Sequence, residues 1–156
     1  MDALTPDIRA VDPTDPIIAP LIDRHLTLMR ASSPACSVHA MEARDLRQAG
    51  VQFFAAFDGD AAIAMGALKT LSKTHGELKS MHVLEERRGA GLADAILARL
   101  LGEARAAGLV RVSLETGSQP PFAAARAFYQ RHGFDFCAPF EGYVEDPNSV
   151  FMSRAL

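Results

Sequence analysis

The chain has 156 residues, of which 49% are hydrophobic and 22% charged, and its formal net charge is −3. A chain of this length buries a core of its own, so we expect a single domain over residues 1–156. The charge balance leaves no broad basic surface, which argues against nucleic acid as a partner. Because Cys36 and Cys137 have no CxxC spacing, we expect free thiols and no metal site.

The N-terminal stretch MDALTPDIRAVDPTDP is polar and contains prolines, unlike a signal peptide. No apolar run approaches the length that spans a membrane, so we expect no membrane partner and a cytoplasmic location. The sequence has no internal repeat and no linker-like segment, which agrees with one domain.

The first half of the chain predicts a strand, two helices and a hairpin. Asp15-Pro16 is typical of a helix start, because aspartate caps the first N–H groups and proline fits the first turn. An Asp-Gly pair between two apolar runs, here Asp58-Gly59, is typical of a hairpin turn. The predicted elements are a strand at Ile8–Val11, a helix from Ile17 to about Met29, a short helix at Glu42–Gln48, and strands at Val51–Phe57 and Ala61–Leu71.

The central stretch predicts a strand, a glycine turn and a helix. Glu77–Val83 alternates polar and apolar residues, and a helical stripe of apolar residues begins at Leu92. Between them, Gly89-Ala90-Gly91 leaves the first N–H groups of the helix uncovered, and the helix dipole favours an anion there. Arg87 and Arg88 add positive charge at the same place. The stretch therefore predicts a phosphate-binding turn.

The remaining elements follow that helix. Val110–Glu115 alternates again and comes after a crossover helix, which predicts a strand parallel to Glu77–Val83. After it we expect a helix at Phe122–His132 and short strands at Phe134–Cys137 and Val150–Arg154.

A dinucleotide fold is one interpretation of Gly89-x-Gly91, with Glu115 as the ribose-binding acid. Asp94 stands where that fingerprint needs its third glycine, and four charged residues separate the strand from the turn. The chain after Glu115 is also too short for the second half of a doubly wound sheet. A Gly-Lys-Ser/Thr loop is absent as well.

Two motifs instead resemble the GNAT family of acyl-CoA N-acyltransferases. Arg88-x-x-Gly91-x-Ala93 matches the family's R/Q-x-x-G-x-G/A pyrophosphate motif, and residues 127–134 (AFYQRHGF) resemble its A-x-Y-x-x-x-G-F segment. SPACSVHAM, SLETGS and PFEGYVEDPNSVFM resemble segments of a group of small bacterial members. The resemblance implies an α/β fold: a mixed, mostly antiparallel sheet with splayed parallel central strands, flanked by helices.

The resemblance also implies acetyl-CoA as cosubstrate and no metal. The pantetheine arm would pair with the strand at Met81, and the pyrophosphate would lie on the glycine turn. Many members carry an asparagine where this chain has Phe122, so that polar contact would be lost or replaced by TGSQPP. The residues expected at the cosubstrate are Met81, His82, Val83, Arg87, Arg88, Gly89, Ala90, Gly91, Leu92, Ala93, Phe122, Phe128 and Tyr129.

For catalysis, the resemblance places the Tyr129 hydroxyl near the CoA sulfur as a general acid. Glu77 lies where some members carry a general base, and Glu115 is the rival base. The acceptor is expected to contact His39, Thr116, Phe140 and Tyr143. His25, His75 and His132 suggest no specific role, and His82 is expected to act through its backbone.

The function expected is transfer of an acetyl group to the primary amine of a small molecule, by direct attack in a ternary complex. A protein or peptide N-terminal acetyltransferase and a non-catalytic CoA-binding sensor remain as alternatives. The expected partner is a small amine, and a homodimer stays open.

Overall fold

The computed structural model describes residues 6–34 and 41–156. The elements are β1 (Asp7–Ala10), α1 (Ala19–Ser32), α2 (Ala43–Leu46), β2 (Val51–Asp58), β3 (Ala61–Thr70), β4 (His75–Val83), α3 (Leu92–Ala106), β5 (Arg111–Gly117), α4 (Ala123–Arg131), β6 (Asp135–Cys137) and β7 (Ser149–Ala155). Two short 3-10 turns precede α3 and α4, at Glu85–Arg87 and Pro120–Phe122. The strands in the described part of the chain form one mixed sheet in the order β1-β2-β3-β4-β5-β7-β6.

The mixed α/β architecture and the order of the elements confirm the sequence predictions, with small differences at the ends. Helix α1 begins at Ala19 and not at Ile17, because Asp15 caps a turn that precedes the helix: its Oδ1 accepts from the N–H of Ile17 at 3.0 Å. Strand β5 runs on to Gly117, since β7 continues to pair with it as far as Ser149.

The parallel strands β4 and β5 separate halfway along their length. They pair from His75↔Arg111 to Leu78↔Leu114 and no further. Beyond that point β4 stays bonded to β3 and β5 to β7. The predicted divergence of the two strands is therefore confirmed, and a fork opens beyond Leu78.

Strand β4 is irregular just past the fork. Ser80 has φ of 56°, and the register with β3 shifts opposite it, between Met65 and Ala67. Gly66 lies at that shift, and a Cβ there would come within 2.7 Å of Ile96 Cγ2 and Met81 Sδ. The lack of a side chain at Gly66 thus lets α3 and Met81 pack closely on the sheet.

Apolar clusters cover the two faces of the sheet. Helices α3 and α4 cover one face with residues such as Leu97, Leu100 and Tyr129, and α1 covers the other with Leu21 and Ile22. Both faces of the sheet are therefore covered by helices around the fork. Among the described residues, no helix has the length and apolar character needed to cross a membrane.

Candidate active site

A cleft of about 510 Å³ enters the sheet at the fork between β4 and β5. Its walls come from the second half of β4, the end of β5, the N-terminus of α3, helix α4 and one side of α1. Because β4 and β5 do not pair here, the cleft reaches backbone that a continuous sheet would cover. All the site elements predicted from the two motifs meet in this cleft.

The N-terminus of α3 forms the charged end of the cleft. Gly91 is its N-cap residue with φ of 80°, and no side chain caps the helix. A Cβ on Gly91 would meet nothing within 4 Å, so no other part of the protein crowds the start of the helix. Gly89, Leu92 and Ala93 line the cleft beside it, whereas Ala90 does not. Bare N–H groups at the positive end of a helix dipole fit a phosphate group.

The two arginines of the turn differ in their contacts. Arg87 makes an ion pair with Asp58 at 2.8 Å. The side chain of Arg88 makes no hydrogen bond or ion pair within residues 6–34 and 41–156, and Arg88 lines the cleft. The carboxylate of Asp94, which would repel a phosphate, lies 2.8 Å from Nε2 of His132. Arg88 is therefore the arginine best placed to contact an anion.

The middle of the cleft is the unpaired side of β4. Met81, His82 and Val83 line it, and the β5 side of their backbone has no strand partner among the described residues. An exposed strand edge of this kind accepts an extended ligand that carries amide groups. Phe122 and Phe128 also line the cleft, from the start of α4 and its last turn.

Glu77 lies where β4 is still paired, just before the fork. It is only 2% exposed, yet it lines the cleft. The Tyr143 hydroxyl donates to its Oε2 at 2.6 Å, and Nζ of Lys79 lies 3.4 Å from the same oxygen. A buried carboxylate needs hydrogen-bonding and charged partners of this kind. Glu77 therefore has the placement of a general base.

Glu115, the rival base, lies on β5 just past the fork and also lines the cleft. Its Oε2 accepts a hydrogen bond from Ser149 Oγ at 2.9 Å. Thr116, expected at the acceptor, follows it on the same strand and lines the cleft. The cleft thus has a carboxylate on each side of the fork.

Tyr129 reaches the cleft from α4. Its ring packs between Phe128 and Phe134, with centroids 5.2 and 5.7 Å away. Burial raises the pKa of its hydroxyl above the ordinary value. The hydroxyl therefore keeps its proton at neutral pH, as a hydrogen-bond donor or acid must.

The predicted acceptor residues are only partly brought together. Phe140 and Tyr143 pack ring against ring at 5.2 Å and stand behind Glu77, but neither lines the cleft itself. Their contact with an acceptor stays a prediction. His39 lies outside the described residues.

Sequence reasoning missed two features of the cleft. His25 of α1 lies with its Nδ1 3.4 Å from Nδ1 of His82, and both residues line the cleft. Lys79 joins Glu77 and Tyr143. No sequence pattern around a single histidine or lysine predicts contacts with distant side chains. The alternation of β4 does place Glu77 and Lys79 on one face of the sheet, and this pattern could have indicated their contact.

Comparison with known proteins identifies the family. The model of the acetyltransferase (GNAT) family matches residues 19–134. The uncharacterised N-acetyltransferase YsnE of Bacillus subtilis is 41% identical over 149 residues, which cover 96% of this chain and 99% of YsnE. A Klebsiella pneumoniae structure described as an acyl-CoA N-acyltransferase superposes with a TM-score of 0.80 at 28% identity, covering 99% of both chains.

A more distant structure has the same fold. A GNAT family acetyltransferase of Elizabethkingia anophelis, solved with acetyl-CoA bound, has a TM-score of 0.71 at 16% identity and covers 100% of both chains. At this identity the likeness concerns the fold alone. From the family match and the sequence relatives, the chain belongs to the GNAT family of acetyltransferases, and its enzyme class is N-acetyltransferase.

Proposed function

We propose that the protein transfers the acetyl group of acetyl-CoA to the primary amine of a small molecule. The observation that carries this proposal is the cleft at the fork. It combines an uncapped helix N-terminus, an unpaired strand edge, the buried carboxylate of Glu77 and the phenol of Tyr129. These are the groups that binding a nucleotide thioester and moving two protons would require.

The residues present fit acetyl-CoA. The N–H groups of α3 after Gly91, with Arg88, would hold the pyrophosphate, and the free edge of β4 at residues 81–83 would pair with the pantetheine amides. Support comes from the Elizabethkingia anophelis relative, whose structure holds acetyl-CoA. The bound cosubstrate would supply an acetyl group activated as a thioester.

Side chains of the protein would carry out the two proton transfers of the reaction. Glu77 would accept a proton from the nitrogen of the acceptor, directly or through a water, as the neutral amine attacks. Tyr129 would donate a proton to the departing thiolate, because its phenol is protonated at neutral pH. Holding both reactants in one cleft makes direct attack in a ternary complex the natural order of events.

Release of free thiol from acetyl-CoA tests the proposal. The purified protein is assayed with panels of amino acids, polyamines, arylalkylamines, amino sugars and short peptides. We expect at least one small amine to give saturable thiol release, with intersecting initial-rate lines when both substrates are varied. Parallel lines would indicate a covalent acetyl-enzyme and contradict direct attack.

The other outcomes separate the alternatives. Release with peptides alone would favour an N-terminal acetyltransferase, and binding of acetyl-CoA with no release would favour a sensor. Glu77→Gln and Glu115→Gln then identify the base. The variant that loses the acid limb of the pH–rate profile carries the base, while its counterpart serves as the matched control.

A further inference from the structure

Glu77, Tyr143 and Lys79 form a chain of hydrogen bonds that runs in one direction. Nζ of Lys79 donates to the Tyr143 hydroxyl at 2.9 Å, and that hydroxyl donates to Oε2 of Glu77 at 2.6 Å. An ammonium donating to a phenol polarises its O–H, which strengthens the bond to the carboxylate. The three groups therefore act as one unit.

The unit is buried. The side chains of Lys79 and Glu77 are 11% and 3% exposed. Removing one partner from a buried charge pair leaves the other uncompensated, so each group depends on the others. Burial, followed by the hydrogen bond and charge of Glu77, raises the pKa of Tyr143. The phenol thus stays a donor to the carboxylate throughout the physiological pH range.

All these contacts use one oxygen of the carboxylate. Both Tyr143 and Lys79 lie against Oε2, whereas Oε1 makes no hydrogen bond or ion pair within the described residues. Because Glu77 lines the cleft, a proton from an acceptor can be taken at an oxygen that is not already used.

The phenol comes from a distant part of the chain. Tyr143 lies in the connection between β6 and β7, 66 residues from Glu77. Its ring packs on Phe140 and Phe151, with centroids 5.2 and 5.5 Å away. This aromatic packing fixes the position of the hydroxyl and hence the orientation of the carboxylate.

We propose that Lys79 and Tyr143 are positioning residues that hold Oε2 of Glu77, so that Oε1 receives the proton of the acceptor amine. This inference rests on the proposed function, in which Glu77 is the base. The proton passes from the nitrogen of the neutral amine to Oε1 as the nitrogen–carbon bond forms and the carbon–sulfur bond breaks, and the departing thiolate takes its proton from Tyr129. Tyr143 and Lys79 keep their protons throughout.

A double-mutant cycle tests the inference, with acetyl-CoA and the panel amine that gives the fastest thiol release as substrates. In the parent protein, Tyr143→Phe should lower kcat at least about tenfold, as expected for loss of a hydrogen bond to a charged group. The KM for acetyl-CoA should stay within about twofold. In a Glu77→Gln background, Tyr143→Phe should cost less than about twofold, because its target is gone. Equal losses in both backgrounds would overturn the inference.

The lysine provides a second route if Tyr143→Phe does not fold. Lys79→Met should lower kcat, and Lys79→Arg, which keeps the charge, should recover most of it. Lys73→Met, in the exposed turn before β4, is the matched control and should leave kcat unchanged. A loss in Lys79→Met that Lys79→Arg does not recover, or one that appears equally in KM for acetyl-CoA, would contradict a positioning role.

A spectroscopic measurement separates failure of the inference from failure of the proposed function. The chain has two tyrosines, so 13Cζ-tyrosine labelling gives two signals, assigned with Tyr129→Phe. Glu77→Gln and Lys79→Met should each shift the Tyr143 signal, whatever the acceptor. A Tyr143 signal unmoved by both variants would overturn the inference, while absence of thiol release with every amine would overturn the function instead.

Discussion

The imidazoles of His25 and His82 meet edge to face in the cleft, with Nδ1 atoms 3.4 Å apart and ring centroids 5.2 Å apart. Burial is the main cause that lowers the pKa of both rings to about 4. The neighbouring charges of Lys79 at His25 and of Arg88 at His82 act in the same direction. Both rings are therefore neutral at pH 7, and neither adds an imidazolium beside the cations of the cleft.

Because burial keeps both histidines neutral, we expect the free energy of unfolding to fall in acid. In the unfolded chain these histidines titrate near 6.5, so between pH 6.5 and 4 the unfolded state binds more protons and stability falls as pH falls. From pH 7.5 to 5, His25 should account for a loss of at most about 2 kcal/mol. Urea unfolding should show a shallower loss in His25→Leu. His132→Gln, a histidine outside the pair, is the control, and an unchanged slope in His25→Leu would contradict the prediction.

Substitutions of the glycines at the two ends of α3 should affect stability alike but acetyl-CoA binding differently. Gly91 and Gly108 flank α3 with the same φ of 80°, and at both positions a Cβ would meet no atom within 4 Å. Gly91→Glu and Gly108→Glu should therefore each destabilise the fold by about 1 kcal/mol. In calorimetry only Gly91→Glu should lose acetyl-CoA binding, because it places a negative charge at the phosphate end. Parent-like binding by Gly91→Glu would remove the pyrophosphate assignment.

The two arginines of the turn predict unequal effects on acetyl-CoA affinity. Arg88→Ala should weaken binding about tenfold or more, as expected for a charge-assisted contact with phosphate. Arg87→Ala should have a smaller effect, because Arg87 is paired with Asp58. The Arg88 effect should shrink at high salt. Equal losses in the two variants, measured by calorimetry, would show that the whole turn acts as a diffuse positive patch.

Tyr129 predicts a change in turnover without a change in binding. Tyr129→Phe should lower kcat roughly 10²-fold, the lower end for a general acid, because a thiol is already a fair leaving group. Its ring contacts with Phe128 and Phe134 persist, so acetyl-CoA affinity and the melting temperature should hold. Unchanged turnover would leave Tyr129 as a packing residue, with catalysis by positioning alone.

Much of the fold follows from patterns that are local in the chain. The alternation of residues 77–83, the apolar stripe of α3 and the Asp-Gly turn each predict one element, because strand and helix periodicity act over a few residues. The phosphate-binding turn at the start of α3 could also be predicted from the sequence. It depends only on adjacent residues, because two glycines leave the first N–H groups of the helix uncapped. The ends of some elements differ from the prediction where pairing with a distant strand decides them. Strand β5 runs on to Gly117, for example, because Gly117 pairs with Ser149 of β7.

The sequence by itself therefore determined the family, the order of elements, the phosphate turn and the identity of Glu77, Glu115 and Tyr129 as candidates. Only the tertiary structure decided how the candidates are partnered: His82 with His25, 57 residues away, Glu77 with Tyr143, 66 residues away, and Arg87 with Asp58. Such contacts depend on how the sheet and the helices pack in space. A side chain's partners, burial and pKa follow from that packing, so they leave no local pattern in the sequence.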